Sequence, residues 1–393
     1  MHITVVGGGF GGVKTALELA KNKKVKITLI SDRPDFQYYP ALYSTATGGS
    51  HLQSWVPLGE IFDVYDNVTI IIDTVTKLDK TKKIIQTAAG KKLNYDTLVL
   101  ALGSVTTYFG IPGLDHYAYG IKSKDEITRL KQHLLNDFSK PNGADSHFLI
   151  VGAGPTGVEL ASSMGDYIKH LKKKFGTKQS PIKISIIEAA PRVLPRMSEQ
   201  ASALVLRRLK KLGIHVELNK KVEEETADAL IVSGKPIKSH TVIWTSGVAN
   251  APFFKANDSQ FNLAPNGRVI VDKYLRADKH VYVIGDNAAN PFGGLAQVAI
   301  KDGHFVAKHI LKKSHEKYTS GPLPVVVPVG SHWAIFEYKK LHFGGIAGAA
   351  IRQAADFIGY KDVLSFKRAF RAWTAQEERE DDAIIAGFSV EKN

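Results

Sequence analysis

The sequence predicts an α/β protein: two Rossmann-like dinucleotide-binding domains with a C-terminal amphipathic helical tail. Three observations lead there. A buried-strand pattern runs into a glycine turn and a helix pattern at the N-terminus, and the same arrangement returns about 145 residues later. Beyond residue 325 the pattern changes to short aromatic and small-residue segments.

At 393 residues the chain is too long for one ordinary α/β unit. Its 44% hydrophobic and 23% charged residues suit a folded globular protein and argue against disorder. Cysteine is absent, which excludes a dithiol site, a thiolate nucleophile, cysteine metal ligands and disulfides, so redox chemistry here needs a bound cofactor. Met1 is followed almost at once by the strand-like run His2 to Val6, without room for a signal peptide, and the expected location is the cytoplasm. No apolar run approaches the roughly 20 residues needed to span a bilayer. The excess of 52 Lys and Arg over 38 Asp and Glu, a net charge of +14, favours anionic surfaces: phospholipid, nucleic acid or nucleotide cofactors. No basic patch interleaved with aromatics supports nucleic acid, and none is expected as a partner. The histidines form no ligand pair at helical spacing beside a carboxylate, so no metal is expected either.

In the first unit, Ile3 to Ala20 reads as strand, turn and helix. Gly7, Gly9 and Gly12 hold the GxGxxG positions, where missing side chains permit the tight turn, close approach of a pyrophosphate and packing of helix on strand. The helix start offers free N–H groups to phosphate. A second strand, Lys26 to Ile30, leads to the place where such folds put an acid on the adenosine ribose. Ser31 stands there and Asp32 follows, so either the serine hydroxyl takes the ribose or the aspartate reaches it with a shift of one.

In the second unit, Phe148 to Ala161 repeats the pattern with Gly152, Gly154 and Gly157. Its partner strand, Ile182 to Ile187, ends in Glu188, placed to accept from ribose hydroxyls and to repel a 2′-phosphate, which favours NADH over NADPH. The long interval before that strand reads as an elongated helix whose basic stretch, Lys169 to Lys174, is a solvated face. Three further runs close the sheets: Leu98 to Ser104, Thr241 to Gly247 and Val281 to Asp286. The last carries a carboxylate to the carboxyl end of a sheet, the usual position for a ligand.

These motifs, in this order, resemble the two-dinucleotide-domain FAD/NAD oxidoreductases along most of the chain. Leu98 to Ser104 looks like the connection strand of that superfamily, with Leu102 in place of its usual threonine. The resemblance implies FAD in the first unit and NADH in the second, Gly103 and Gly247 beside the cofactors, and Asp286 on the flavin ribityl chain. Thiol-dependent members, the disulfide reductases and sulfide:quinone reductases, do not match a chain without cysteine. Tyr39 to Gly48, Thr156 to Ala161, Val242 to Val248 and Leu295 to Gly303 together look like the type II NADH dehydrogenases, single-subunit NADH:quinone oxidoreductases.

That resemblance implies hydride transfer from NADH to flavin and then two electrons to a lipid quinone, without proton pumping since nothing spans the bilayer. It places Ala296 and Gln297 at the flavin edge facing the quinone. The family continues with a second polar residue, often Gln or Glu, where this chain has Lys301 followed by Asp302. A lysine there would put a donor near a quinone carbonyl, or narrow the pocket, or favour another oxidant such as oxygen. Glu159 falls near nicotinamide and isoalloxazine, where it helps a proton toward the acceptor; a carboxylate in the first turn of a helix is also favoured by the helix dipole alone. The family forms dimers and docks on membranes through its tail.

Residues 326–393 form that tail. On a helical wheel Val363, Phe366, Phe370 and Trp373 share a stripe beside Lys367, Arg368 and Arg371, the pattern of an interfacial helix on anionic lipid, while the acidic run Glu377 to Asp382 would be repelled. The alternative is packing on the protein's own core or on a second subunit. The expected division is 1–112 and 251–325 for the FAD unit, 113–250 for the NADH unit and 326–393 for a membrane-association or dimerisation module. The expected placement is peripheral, on the inner face of the cell membrane. Two other functions remain open: an NADH oxidase reducing oxygen, and a basic FAD protein that binds nucleic acid or senses redox state.

Overall fold

The computed structural model describes residues 1–140, 145–176, 181–312 and 316–381. The first sheet has six strands in the order Arg276–Asp278, Val281–Val283, Thr97–Leu100, His2–Val6, Lys26–Ser31 and Val68–Ile72. All pairs are parallel except the edge strand Arg276–Asp278. The central strands are buried on both faces, as parallel strands under helices must be. Chain order reverses direction on the two sides of His2–Val6, and this switch point opens a crevice at the carboxyl ends of the strands, where Gly7 begins.

The second sheet repeats that topology on its own strands: His215–Glu217, Lys183–Ile187, His147–Val151 and Thr241–Trp244, all parallel. Its first helix, Pro155–Phe175, is 21 residues long and carries the basic run at its C-terminal end, so the long interval is an elongated helix. A two-stranded antiparallel ladder of Ser104–Thr106 with Val248–Asn250 ties the units where the chain leaves one and returns from the other.

The tail departs from expectation in three ways. It begins with a three-stranded antiparallel sheet, Val325–Pro328, Ala334–Tyr338 and Leu341–Gly345, before the helices Ile346–Lys361 and Phe366–Thr374. The helical stripe is shorter than its periodicity suggests. Ser365 is the N-cap residue, so Val363 lies outside the last helix and is 1% exposed, while Phe366 and Phe370 are 65% and 50% exposed. Trp373 turns back, donating its indole N–H to the Gln353 carbonyl at 3.1 Å and packing on Phe357.

Third, the acidic run does not stand off from the protein. Glu380 accepts from the Ser50 hydroxyl at 2.7 Å and pairs with His51 at 2.6 Å, and its carbonyl takes the ammonium of buried Lys131 at 2.9 Å. Asp381 pairs with His170 at 2.5 Å and lies 3.9 Å from the Lys174 ammonium. Part of the basic run thus serves to hold the end of the tail. Arg368, expected beside the lipid-facing stripe, is bound to Asp63 instead, with one contact at 3.2 Å.

Tyr360 is wholly buried, stacks on Tyr38 at 4.0 Å and donates its hydroxyl to the Gln53 carbonyl at 2.6 Å. Tyr360→Phe is expected to destabilise the protein by about 1–3 kcal/mol, because that carbonyl loses a buried donor. Urea unfolding of the variant beside the parent chain checks it.

Candidate active site

Both glycine turns use their three glycines in the same three ways. The first has a φ that side chains resist, +116° at Gly7 and +109° at Gly152. The third is pressed on the first: a Cβ on Gly12 would lie 1.9 Å from the Gly7 carbonyl oxygen, and one on Gly157 would lie 1.9 Å from that of Gly152. The second glycine faces open space, with nothing within 4 Å of a Cβ at Gly9 or Gly154. Gly9 and Gly154 also precede their helices directly, without a side-chain cap and with no acid in the first turn. Uncapped N–H groups at the positive end of a helix, behind bare backbone, form a cradle for a pyrophosphate. The residues present therefore fit FAD and NADH, one at each turn.

Around the first turn, Ser31 ends its strand directly beneath Gly8, where a Cβ would meet Ser31 Oγ at 2.5 Å. Its buried hydroxyl accepts the Arg33 N–H at 3.3 Å, whereas Asp32 is exposed and pairs with the Arg33 guanidinium at 3.1 Å. Around the second turn, Glu188 accepts the backbone N–H groups of Ala153 at 2.6 Å and Ala190 at 2.8 Å, which fixes it beside the glycines. Gly247, with φ of +76°, passes close to the Thr107 carbonyl of the other unit.

Asp286 stands in the turn Gly285–Asn287, just beyond the strand Val281–Val283. Its carboxylate accepts from the Ser104 hydroxyl and the Gly294 N–H, both at 2.9 Å. Neighbours brace that turn. Asn287 binds both the N–H and the carbonyl of Gly103, at 3.0 and 2.7 Å, and buried Asp302 accepts the Gly285 N–H at 2.9 Å. Burial pushes the Asp302 carboxyl up, against the Tyr318 and Gly285 hydrogen bonds that pull it down.

Helix Ala296–Ile310 starts with Ala296 half-buried and Gln297 exposed. Lys301 lies one turn further on. Its ammonium is already engaged, donating to the Thr319 carbonyl at 2.8 Å and lying 5.7 Å over the Tyr318 ring, so the donor expected near an acceptor carbonyl is committed elsewhere. Asp302 points the other way, under Gly285. Among the described residues no hydrogen bond or ion pair joins Gln297 or Lys301 to Glu159.

Glu159 sits in the second turn of its helix, not the first, so the helix dipole does not account for it. It is 9% exposed, and its Oε1 accepts from Arg352 Nη1 at 2.9 Å while Oε2 makes no hydrogen bond among the described residues. Arg352 comes from the tail and also binds the Pro40 carbonyl of the first unit through Nη2 at 2.7 Å. Burial pushes the Glu159 carboxyl up to about 7 in spite of the guanidinium, which pulls the other way. Sequence reasoning missed Arg352, although an Arg with an Asp four residues on, inside a helix otherwise rich in Ala, Gly and Ile, is a signal that could have found it.

Two dinucleotide cradles, joined across a buried acid and arginine in a chain without cysteine, define a flavin- and pyridine-nucleotide-dependent oxidoreductase. Residues 1–303 match the model of the pyridine nucleotide-disulphide oxidoreductases, and the chain belongs to that family. The resemblance to type II NADH dehydrogenases holds as well. The chain is 29% identical over 382 residues to the type II NADH:quinone oxidoreductase NdhA of Mycobacterium tuberculosis, covering 88% of this chain and 80% of that protein. It is 27% identical over 332 residues to the type II NADH:quinone oxidoreductase of Staphylococcus saprophyticus, covering 78% and 81%. Its fold is similar to that of NDH2 from Plasmodium falciparum, solved in complex with NADH, with a TM-score of 0.85 at 20% identity over 95% of this chain and 97% of that one. The cofactors are FAD and NADH.

The glycine geometry makes a paired prediction. Gly9→Ala and Gly154→Ala have room for the methyl and should fold normally while binding FAD or NADH at least about tenfold more weakly, since the methyl enters the phosphate approach. Gly12→Ala and Gly157→Ala collide with backbone and should lose thermal stability first. Cofactor titration beside thermal unfolding separates the two classes.

Proposed function

We propose that the chain is a type II NADH:quinone oxidoreductase that oxidises NADH through FAD and delivers two electrons to a membrane quinone without pumping protons. The observation that carries this reading is Glu159. It is a buried carboxyl near neutrality on the helix that starts at the NADH turn, joined through Arg352 to the short 3-10 helix Tyr39–Ala41 of the FAD unit. The curated relatives carry the quinone in their names.

In this reading Gly7, Gly9 and Gly12 admit the FAD pyrophosphate, Asp32 or Ser31 takes the adenosine ribose, and Asp286 holds the ribityl chain with Gly103 close by. Gly152, Gly154 and Gly157 admit the NADH pyrophosphate, Glu188 takes its ribose and repels a 2′-phosphate, and Gly247 lies along the nucleotide's path. Bound FAD supplies the two-electron chemistry, receiving hydride from NADH and passing electrons to the acceptor. Ala296 and Gln297 line the acceptor side. Lys301 braces the segment around Thr319. Reduction of a quinone by two electrons consumes two protons, and Glu159 carries one of them and presents it at Oε2. We read 1–112 with 251–325 as the FAD unit, 113–250 as the NADH unit and 326–393 as the module that meets the membrane.

No helix among the described residues is long and apolar enough to cross a membrane. Ile346, Ile358, Phe366 and Phe370 are nonetheless exposed on the two tail helices, with Lys367 and Arg371 also exposed beside the phenylalanines. We read this surface as a peripheral docking face for anionic lipid on the inner side of the cell membrane; a homodimer through the same module is the competing use. A double variant Phe366→Ser, Phe370→Ser should lose most sedimentation with phosphatidylglycerol vesicles. Undiminished sedimentation would refute lipid docking, and a change of mass in solution would point to the dimer.

The reaction is tested by anaerobic stopped-flow: rapid flavin bleaching by NADH and slow bleaching by NADPH, then rapid recovery with a soluble quinone. Recovery faster with oxygen than with quinone would make the chain an oxidase. Glu159 is protonated below about pH 7 and loses its proton above it. Recovery with quinone should therefore be fastest below pH 7 and decline as pH rises through it, and Glu159→Gln should flatten that decline and slow the reaction about 100-fold.

A further inference from the structure

One carboxylate in this cluster has no part in the reaction described above. Asp356 lies one helical turn beyond Arg352, is buried, and takes Arg352 Nε on its Oδ2 at 2.7 Å, while the Tyr38 hydroxyl donates to its Oδ1 at 3.2 Å. With Nε on Asp356 and Nη2 on Pro40, Arg352 meets Glu159 through a single hydrogen bond, where an unencumbered guanidinium offers a carboxylate two. The arrangement is braced from the first unit. Tyr38 stacks on Tyr360, and its hydroxyl approaches so near the tail helix that a Cβ on Gly359 would lie 2.5 Å from it.

We propose that Asp356 is a positioning residue for Glu159: by taking one edge of Arg352 it fixes the guanidinium in a one-bond contact with Glu159 and withholds part of its charge. This rests on the reading of Glu159 as the proton-bearing group. The charged and titratable groups facing Glu159 are Arg352 and Asp356 from the tail helix and Tyr43 from the segment Leu42–Ala46; Tyr38 and Tyr360 face Asp356. Burial pushes all three tyrosines up, away from neutrality. The cluster therefore holds one cation for two carboxylates: burial pushes Glu159 up, the Arg352 guanidinium pulls it down, and the Asp356 charge pushes it up again. With Asp356 uncharged, the whole guanidinium charge falls to Glu159.

The test is infrared spectroscopy of the holoenzyme with carbon-13-labelled glutamate, following the protonated-carboxyl band that Glu159→Gln removes. In the parent chain this band should titrate near pH 7. In Asp356→Asn it should titrate at least about one pH unit lower, a tenfold change in proton affinity, while Tyr38→Phe, which keeps the charge, should leave it in place. An unchanged midpoint in Asp356→Asn overturns the inference. Asp356→Ser removes the same charge with a smaller side chain and is read the same way should the Asn variant not hold flavin. The pH decline of recovery with quinone should move with the band; a band that moves without it upholds the charge partition and sinks the use of Glu159 in the reaction.

Discussion

A guanidinium stays charged at every pH a protein survives, and Arg352 carries one into a place only 8% exposed. Such a burial is tolerated only if each edge finds an anion or a carbonyl. The three partners it finds come from three parts of the chain: the Glu159 carboxylate on the first helix of the second unit, the Pro40 carbonyl in the first unit, and Asp356 on its own tail helix. Removing one partner from a buried pair of this kind costs about 3–5 kcal/mol. The same group that lies beside Glu159 therefore also links the two nucleotide units, alongside the strand ladder between them, and the tail that supplies it is an integral part of the body.

Elsewhere the architecture depends on carbonyl oxygens packed too tightly for a side chain. The contacts of Gly12 on Gly7 and of Gly157 on Gly152 let each helix start directly over the end of its strand, which aims the helix dipole at the crevice of each sheet. Because the strand order is the same in both sheets, the two crevices are built alike. The first sheet differs in taking strands from both ends of the domain sequence, and its returning strand brings in Asp286 with Asn287 and Asp302 to hold the turn. Asp302, the residue after the position where a second acceptor-side polar residue was expected, faces inward for that structural reason.

What was legible in the sequence was local. A strand, a glycine turn and a helix lie within 20 residues, and the roles of Gly7, Gly9 and Gly12 follow from the chemistry of a missing side chain, so both units could be read without a single long-range contact. The tail could not be read this way. Arg352 meets Glu159 across 193 positions, and Glu380 meets Ser50 across 330. Helical period was carried past Ser365, a capping residue type, and so Val363 was drawn into a stripe it does not share. The acidic run was judged by its charge against lipid, when His51, Lys131, His170 and Lys174 were the cations that decide where it goes. Ser31 and Asp32 could not be ranked from spacing; the tight fit of Ser31 beneath Gly8 is visible only once the strand is built.

That Arg352 follows the strands of both sheets in the chain has a consequence for the order of assembly. A protein is made from its N-terminus, and the strands of both sheets, down to Val283, emerge before the tail helix exists. Each cradle is complete at that stage, so nucleotide has a place to bind on the nascent chain. Glu159 meanwhile lacks the Arg352 partner that it holds in the finished fold. The seam between the units closes only once the tail helix that carries Arg352 has been made, so cofactor capture can come before the site is complete.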